Sequence, residues 1–188
     1  MNADHAALCA SQKWAEHIRD VVIPEAVGSL DLGDEVLEIG PGYGATTAQL
    51  RRIVTRLSAV ELDEALAVEL AERFPDVAVV RASAARLPMD STAFDAVVCF
   101  TMLHHVASAR LQDEVFAEAR RVLHPGGLFV GSDSLANDGL RDFHHDDIYV
   151  PVDPEILPQR LRAAGFAGVK VGVNDNQERF TFLARAAL

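Results

Sequence analysis

The sequence predicts a doubly wound α/β domain, and three observations support that prediction. Helical and extended segments alternate along the chain without an internal repeat. The runs "VAVVRA" (77–82) and "FDAVVCF" (94–100) are apolar enough for strands buried on both faces. A glycine-rich turn, "GPGYG" (40–44), directly follows the first predicted strand. Doubly wound sheets bind ligands at the carboxyl ends of their strands, so this turn marks the expected site.

The first third of the chain is predicted to contain two helices and one strand. In 12–29, Trp14, Ile18, Val21 and Val22 fall on one side of an amphipathic helix, which belongs to an N-terminal helical region over 4–29. "EVLEI" (35–39) is a short strand. The glycine turn leads into a second helix, which we expect from about Gly44 to Val54.

The middle of the chain continues the alternation. "RLSAVEL" (56–62) is the next strand, and Asp63 occupies the N-cap of a helix over 64–74. Residues 77–82 and 94–100 are the following strands. Four apolar residues then recur at helical spacing in 109–123: Leu111, Val115, Ala119 and Val122. The residues "HPGG" end this helix, and "LFVGSDS" (128–134) follows as a strand.

The last third begins with an apparent insertion. Residues 135–152 show no period and are rich in Asp and His. Asp153-Pro154-Glu155 then predicts a helix start, and Gly165 predicts its end. Two final strands, near 168–173 and 179–185, complete a single domain spanning 1–188.

Composition narrows the class of protein. The chain has 188 residues, of which 49% are hydrophobic and 24% charged, as in ordinary globular domains. The first residues lack the basic segment and apolar core of a signal peptide, and no apolar run is long enough to span a bilayer. Cys9 and Cys99 give neither a disulfide framework nor a metal-ligand spacing. We therefore expect a cytoplasmic protein.

Charge narrows the class of partner. The formal net charge is −11, and the only lysines are Lys13 and Lys170. Nucleic acids and anionic membrane surfaces require a basic face. We therefore expect no nucleic acid and no membrane as partner, and favour a neutral or cationic small molecule.

The glycine turn predicts close approach of a ligand. Gly40, Gly42 and Gly44 allow a sharp turn from strand to helix and expose bare backbone to a ligand. The amides at the start of the following helix then point at that ligand. The spacing also satisfies the dinucleotide-binding pattern, and a tight turn without any ligand is the plainer alternative.

Two glutamates refine this hypothesis. Glu61 ends the second strand 21 residues after Gly40, where a carboxylate can accept hydrogen bonds from ribose hydroxyls. Glu38 lies on a strand expected to be buried, and a buried carboxylate needs a partner. A diphosphate would repel Glu38, whereas a ligand with an ammonium and a sulfonium would suit it. Turn amides or a nearby arginine are the alternative partners for Glu38.

Four segments in order resemble the motifs of class I S-adenosylmethionine-dependent methyltransferases. They are "VLEIGPGYG" (36–44), "LSAVELD" (57–63), "ARLPMDSTAFDAVVCFTMLHHV" (85–106) and "EARRVLHPGGLFV" (118–130). The resemblance covers about 30–133 and is to the branch acting on small molecules, such as quinone-biosynthesis-like enzymes. It implies a Rossmann-like methyltransferase fold, with a seven-stranded, mostly parallel sheet and a reversed C-terminal strand.

The resemblance also implies a cofactor, S-adenosylmethionine, and residues that would hold it. Glu38 would hold the amino group, directly or through water, and Glu61 the ribose hydroxyls. Ser83-Ala84 stands where the family often has Asp-Ala, so the adenine amino group would meet a hydroxyl instead of a carboxylate. The remaining implied contacts are Gly40, Gly42 and Gly44 under the methionine part, Leu62 on the adenine, and Phe100 and Thr101 at the methionine end.

The candidate catalytic residues are His104 and His105, which follow the fourth strand at the rim of the expected site. An imidazole can act as a base near neutral pH if the methyl acceptor must lose a proton. The alternative is that both rings only pack and cap the next helix.

A second histidine pair, in "FHHDD" (143–147), is interpreted as part of a solvated loop. Neighbouring side chains on an extended strand face opposite ways, and no second cluster in the sequence completes a coordination shell. We therefore predict no metal site. Residues 135–150 are instead expected to form a lid that closes over the acceptor together with the helix around Trp14. Tyr43, Phe143 and Tyr149 are candidate pocket residues.

Three functions remain open at this point. A small-molecule methyltransferase is favoured. A nicotinamide- or flavin-dependent oxidoreductase would use the same turn and Glu61, but would leave Glu38 unexplained. A catalytically silent nucleoside-binding module is the third, because Ser83 replaces the usual acid.

Overall fold

A computed structural model describes residues 2–188 and contains a seven-stranded sheet. Its strands are β1 (Glu35–Ile39), β2 (Arg56–Glu61), β3 (Ala78–Arg81), β4 (Phe94–Phe100), β5 (Leu123–Ser134), β6 (Phe166–Val173) and β7 (Arg179–Ala186). The strand order is β3-β2-β1-β4-β5-β7-β6. The first five strands are parallel, and β7 runs antiparallel to both β5 and β6. The predicted fold class, including the reversed C-terminal strand, is confirmed.

The helices are mostly short. They are α1 (Ala3–Cys9), α2 (Gln12–His17), α3 (Ile23–Ala26), α4 (Thr47–Leu50), α5 (Glu64–Arg73), α6 (Ala109–Val122), α7 (Asp138–Phe143) and α8 (Leu157–Ala163). A π-helical turn, Ile18–Val22, joins α2 to α3, and a 3₁₀ turn, Leu103–His105, follows β4. Within residues 2–188, no helix is both long enough and apolar enough to cross a membrane.

The alternation of side chains along the sheet builds two hydrophobic layers. On one face, Val36 of β1 packs with Ile18 of the N-terminal helices and Leu70 of α5. On the other face, the next residue, Leu37, belongs to the layer that includes Phe116 of α6 and Leu161 of α8. Helices therefore cover both faces, and the carboxyl ends of the strands remain as the edge where a ligand can approach.

The predicted N-terminal helix over 4–29 is divided. Ser11 accepts a hydrogen bond from the backbone N–H of Trp14 and so caps a new helix after α1 has ended. The amphipathic pattern from Trp14 to Val22 does correspond to helical structure. The Ser11 cap, however, separates this helix from α1.

Four further features differ from the prediction. The fifth strand begins at Leu123 and not at Leu128, so "HPGG" lies within β5. The helix expected over 44–54 is reduced to α4, because residues 42–46 form a turn. Asp153 accepts from the backbone N–H of Glu155, so residues 154–156 form a turn before α8. The insertion 135–152 is not structureless, because Asn137 caps α7 within it by accepting from the N–H of Leu140.

Candidate active site

A cavity of about 1010 Å³ opens at the carboxyl ends of β1, β2 and β4. One side, here called the strand-end wall, consists of residues that follow the strands: Gly40, Gly42, Glu61, Leu62, Ser83, Ala84, Phe100 and Thr101. The other side, here called the histidine wall, consists of His5, His104, His105 and His144. The two walls bring together parts of the chain that are far apart in sequence.

The glycines of the turn have two different tasks. Gly40 and Gly42 line the cavity with φ of +67° and +55°, a region that disfavours side chains. A Cβ added at Gly42 would meet no atom within 4 Å, so open space lies there. A Cβ at Gly44 would lie 2.7 Å from Leu70 and Phe74. Gly44 is therefore required for packing against α5, which corrects its assignment to the ligand floor.

Glu61 fastens the glycine turn to the end of β2. Its Oε2 accepts from the N–H of Gly42 at 3.0 Å, and its Oε1 accepts from the N–H groups of Leu62 and Asp63 at 2.7 and 3.0 Å. A carboxylate has about four acceptor positions, so three backbone donors leave one for a ligand hydroxyl. Leu62, 68% exposed, lies beside it and offers an apolar surface.

Glu38 lies behind the wall and not on it. Its carboxyl is 1% exposed and accepts from the hydroxyls of Thr46 and Thr47, the second at 2.7 Å. Burial, with the nearby charge of Glu61, raises the pKa of Glu38 to about 7 even though both hydroxyls oppose the shift. Glu38 therefore does not need a cationic ligand as its partner, as the sequence had suggested, because two threonine hydroxyls already donate hydrogen bonds to its carboxylate. Thr46 itself lines the cavity and links Glu38 to it.

The remaining predicted cofactor residues meet along the strand-end wall. The Ser83 hydroxyl accepts from the N–H of Ala85 at 3.3 Å, and Ala84 lies next to it. Phe100 ends β4, and Thr101 follows with φ of +51°. A threonine in this left-handed region is unusual, and such strain is concentrated at functional sites.

His104 is held by a buried carboxylate. Its Nδ1 lies 2.5 Å from Oδ1 of Asp133, and its backbone N–H donates to Oδ2 of the same residue at 3.2 Å. His104 is 5% exposed and Asp133 is fully buried. Burial opposes a charge on the imidazole, but Asp133 outweighs it and raises the pKa of His104. In return His104 lowers the pKa of Asp133 despite its burial.

His105 has a different character from its neighbour. Burial, together with the adjacent His104 and His5, lowers the pKa of His105 to about 3. A base this weak takes up a proton poorly near neutral pH. The surroundings therefore shift the pKa values of the two candidate catalytic histidines in opposite directions. His104 is suited to proton transfer, whereas His105 stays neutral.

The segment "FHHDD" is solvated only in part, because His145 and Asp146 are exposed whereas His144 is buried. His144 is 4% exposed, and its ring stacks on Tyr149 with centroids 4.6 Å apart. Asp147 accepts from the backbone N–H of Asn2 at 2.8 Å, and the Asn2 amide donates to the carbonyls of Phe143 and His145. The prediction is wrong for His144 because the segment folds at the end of α7 against the N-terminal helix and is not extended.

Pocket residues outside the two walls also differ from expectation. Tyr43, Phe143 and Trp14 line the cavity. Tyr149 is not among the lining residues of the described part of the chain. The expectation of no metal site rested in part on the lack of a second cluster in the sequence, whereas the fold brings His5 and His105 close to His144.

Sequence reasoning missed two residues of the site, His5 and Asp133, and assigned two others, His144 and Asp147, to a solvated loop. Asp133 could have been found, because it is an acid near the carboxyl end of the strand next to β4. No local pattern identifies His5 or predicts that it lies beside Asp147. Their proximity arises only when α1 packs against the end of α7.

The fold is the Rossmann-like fold of methyltransferase domains. The family model described as "Methyltransferase domain" matches residues 37–131. This match spans half of the chain, so the chain belongs to the class I S-adenosylmethionine-dependent methyltransferase family. The matches do not select the quinone-biosynthesis-like branch.

Two curated relatives illustrate the family. A protein of Mycolicibacterium smegmatis, named a probable S-adenosylmethionine-dependent methyltransferase, is 30% identical over 114 residues, which are 61% of this chain and 43% of that protein. A dimethylglycine N-methyltransferase of Parasynechococcus marenigrum is 31% identical over 144 residues, or 73% and 49% of the two chains. The chain thus spans about half the length, or less, of these relatives.

Solved structures show the same fold. The crystal structure of a [4+2]-cyclase, SpnF, superposes with a TM-score of 0.75 at 18% identity and covers 94% of this chain and 82% of that one. A similarity of this kind shows the fold alone, since one fold supports many reactions.

Proposed function

We propose that this protein transfers a methyl group from S-adenosylmethionine to a small-molecule acceptor. One observation carries the proposal: a single cavity joins a nucleoside-type wall, built from bare backbone and Glu61, to a buried His104–Asp133 pair. Family membership supplies the reaction class, because the matched segment includes the glycine turn, Glu61 and Phe100.

The strand-end wall fits the cofactor chemically. Gly40 and Gly42 leave room for the methionine part against the backbone, with open space above Gly42. Glu61 keeps one acceptor position for a ribose hydroxyl. Leu62 offers an apolar face, and Ser83 a hydroxyl, to the adenine. When bound, the cofactor supplies a methyl group that is already activated by the sulfonium.

His104 would act on the acceptor. Because its Nδ1 is held by Asp133, Nε2 is the nitrogen that can take a proton from an acceptor hydroxyl or ammonium group. In the proposed transfer the acceptor atom would gain a bond to the methyl carbon as the carbon–sulfur bond is lost, and Nε2 of His104 would take the acceptor's proton. The buried carboxylate fixes the ring and stabilises the resulting imidazolium.

The acceptor is proposed to be small because of the cavity's volume and walls. About 1010 Å³ is at the upper end of ligand pockets, which gives room for a cofactor and a compact acceptor together. The N-terminal helices and α7 line the same cavity and are hydrogen-bonded to each other through Asn2. We propose that they cover the acceptor. The net charge of −11 supports a neutral or cationic acceptor over a nucleic acid.

Calorimetric titration with S-adenosylhomocysteine and, separately, with NADH tests the class of cofactor. We expect saturable binding of S-adenosylhomocysteine at one molecule per chain and none of NADH. The reverse result would support the oxidoreductase alternative and overturn the proposal.

A screen of small amines, alcohols and acids, read out by mass increase of the acceptor, then tests for transfer. Cofactor binding with no transfer to any class of acceptor, including structured RNA, would support the silent binding module. Transfer to RNA alone would overturn the small-molecule part of the proposal.

A further inference from the structure

Three histidines from separate parts of the chain converge on the histidine wall. His5 lies on α1, His105 in the 3₁₀ turn after β4, and His144 just after α7. Their rings form a triangle with centroid distances of 4.9 Å (His5–His105), 4.6 Å (His5–His144) and 5.2 Å (His105–His144). One ring nitrogen of each can be chosen so that all three nitrogens lie within 4.8 Å of one another.

In two of these rings Nδ1 lies next to a hydrogen-bond acceptor. Nδ1 of His144 lies 2.6 Å from the carbonyl oxygen of Leu140, which can only accept, so this nitrogen carries the proton. Nδ1 of His5 lies 3.3 Å from Oδ2 of Asp147. In both rings Nε2 is left with a free lone pair. Metal-ligating histidines have this arrangement, in which a carbonyl or carboxylate holds the other ring nitrogen.

One of these lone pairs has no hydrogen-bond partner among residues 2–188. Nε2 of His144 is buried and has no hydrogen-bond partner among the described residues. Buried polar atoms of this kind are rare in native proteins and require an explanation. His105 also has no ring hydrogen bond within residues 2–188, and the pKa of each of the three imidazoles is lowered, first by burial. The neutral imidazole is the form that binds metals.

We propose that His5, His105 and His144 bind a divalent transition-metal ion of the zinc type. Zinc takes neutral imidazole nitrogens at about 2.0–2.1 Å, which places tetrahedral ligand atoms about 3.3 Å apart. The three nitrogens lie within 4.8 Å of one another and would have to move closer together on binding the ion. Magnesium and calcium fit poorly because they prefer oxygen ligands.

The site leaves one coordination position facing the cavity, since all three histidines line it. Three protein ligands with an open fourth position is the pattern of catalytic and not of structural zinc. Where the proposed methyl transfer holds, that position would take an oxygen or nitrogen atom of the acceptor. This step rests on the proposed function, whereas metal binding itself does not.

Titration of chelator-treated protein with zinc chloride, and in parallel with magnesium chloride, tests the site. We expect one zinc ion per chain with a Kd below about 1 μM, and no saturable magnesium binding. His144→Ala and His105→Ala should each weaken zinc binding by more than the roughly 10- to 100-fold that loss of an outer hydrogen-bonding partner costs. His145→Ala, the matched control on the neighbouring exposed residue, should leave it unchanged.

Absence of saturable zinc binding by the unmodified protein would overturn the proposal, whatever the variants do. Binding that survives His144→Ala, or that falls equally in His145→Ala, would also overturn it. S-adenosylhomocysteine titration of the same samples separates the two proposals. Zinc binding without S-adenosylhomocysteine binding would support the metal site and overturn the proposed methyl transfer. S-adenosylhomocysteine binding without zinc binding would support the methyl transfer and overturn the metal site.

Discussion

The two walls of the cavity are assembled by different means. The strand-end wall comes from residues that directly follow β1, β2, β3 and β4, so each side chain is placed by the end of its own strand. The histidine wall comes from α1, the 3₁₀ turn and the segment after α7, which meet only through tertiary packing. The comparison teaches that a site attached to sheet topology is determined by local sequence, whereas one made between added helices is not.

Removing the base from the histidine wall should have the largest effect. His104→Asn keeps an N–H donor for Asp133 but cannot accept the acceptor's proton, so kcat should fall about 10²- to 10⁴-fold. Initial rates with an acceptor from the screen measure this change, and calorimetry should show S-adenosylhomocysteine affinity unchanged. His124→Asn, outside the cavity, is the control. Turnover within about threefold of the unmodified protein would remove His104 from the mechanism.

The pH dependence of stability tests the carboxyl behind the strand-end wall. The pKa of Glu38 is raised from 4.5 to about 7. Its protonated form therefore stabilises the fold fully below pH 4.5, and this contribution is lost as pH rises through 7. The loss amounts to about 3 kcal/mol at 1.36 kcal/mol per pKa unit.

Urea unfolding of Glu38→Gln and the unmodified protein between pH 4.5 and 8 measures that contribution. The unmodified protein should lose stability relative to Glu38→Gln as pH rises, while the exposed Glu72→Gln serves as control. If the free energy of unfolding changed with pH in the same way in Glu38→Gln and in the unmodified protein, the pKa of Glu38 would not be raised in the folded state.

Glu61 should matter to cofactor affinity and not to the histidine wall. Glu61→Ala removes a charged acceptor from the ribose and from the N–H of Gly42, so S-adenosylhomocysteine should bind roughly 10- to 150-fold more weakly. Calorimetry gives the change, and Glu72→Ala on the exposed face of α5 is the matched control. An equal loss of zinc affinity in Glu61→Ala would contradict the independence of the two walls.

Substitutions of Gly42 and Gly44 should have the smallest effects, and the two effects should differ in kind. Gly44→Ala pushes a methyl group against Leu70 and Phe74 and should lower the free energy of unfolding by about 1–3 kcal/mol beyond the backbone strain. Gly42→Ala meets open space and should add only left-handed strain of about 1–2 kcal/mol, while weakening S-adenosylhomocysteine binding. Thermal melts and calorimetry on both variants separate packing from ligand contact. Identical behaviour of the two would argue against this division.

The fold was largely predictable because strand and cap signals are local. Short apolar runs predicted all seven strands, although β3 is an edge strand without a buried residue and is not buried on both faces as expected. Asp63 caps α5 by accepting from the N–H groups of Ala65 and Leu66, as predicted. The helix boundaries at 44–54 and 154–164 were less accurate, because turn hydrogen bonds compete with helix formation there.

The site was most predictable where it follows the strands. Leu62, Ser83, Phe100 and Thr101 line the cavity at their expected places. Gly44 and Glu38 carry the family spacing, but sequence alone could not show that one packs on α5 and the other is served by threonine hydroxyls. His5 and His144 are 139 positions apart, and nothing local to either predicts their contact.

The position of β7 bears on how the chain acquires its structure during synthesis. This strand is the seventh along the chain, yet it lies between β5 and β6 and pairs with both. While the ribosome has yet to release residues 179–186, β5 has no neighbour on that side, and its unpaired backbone forms an open edge. Until residues 179–186 emerge, this edge is open to pairing with other chains, and a chaperone bound at β5 would protect it.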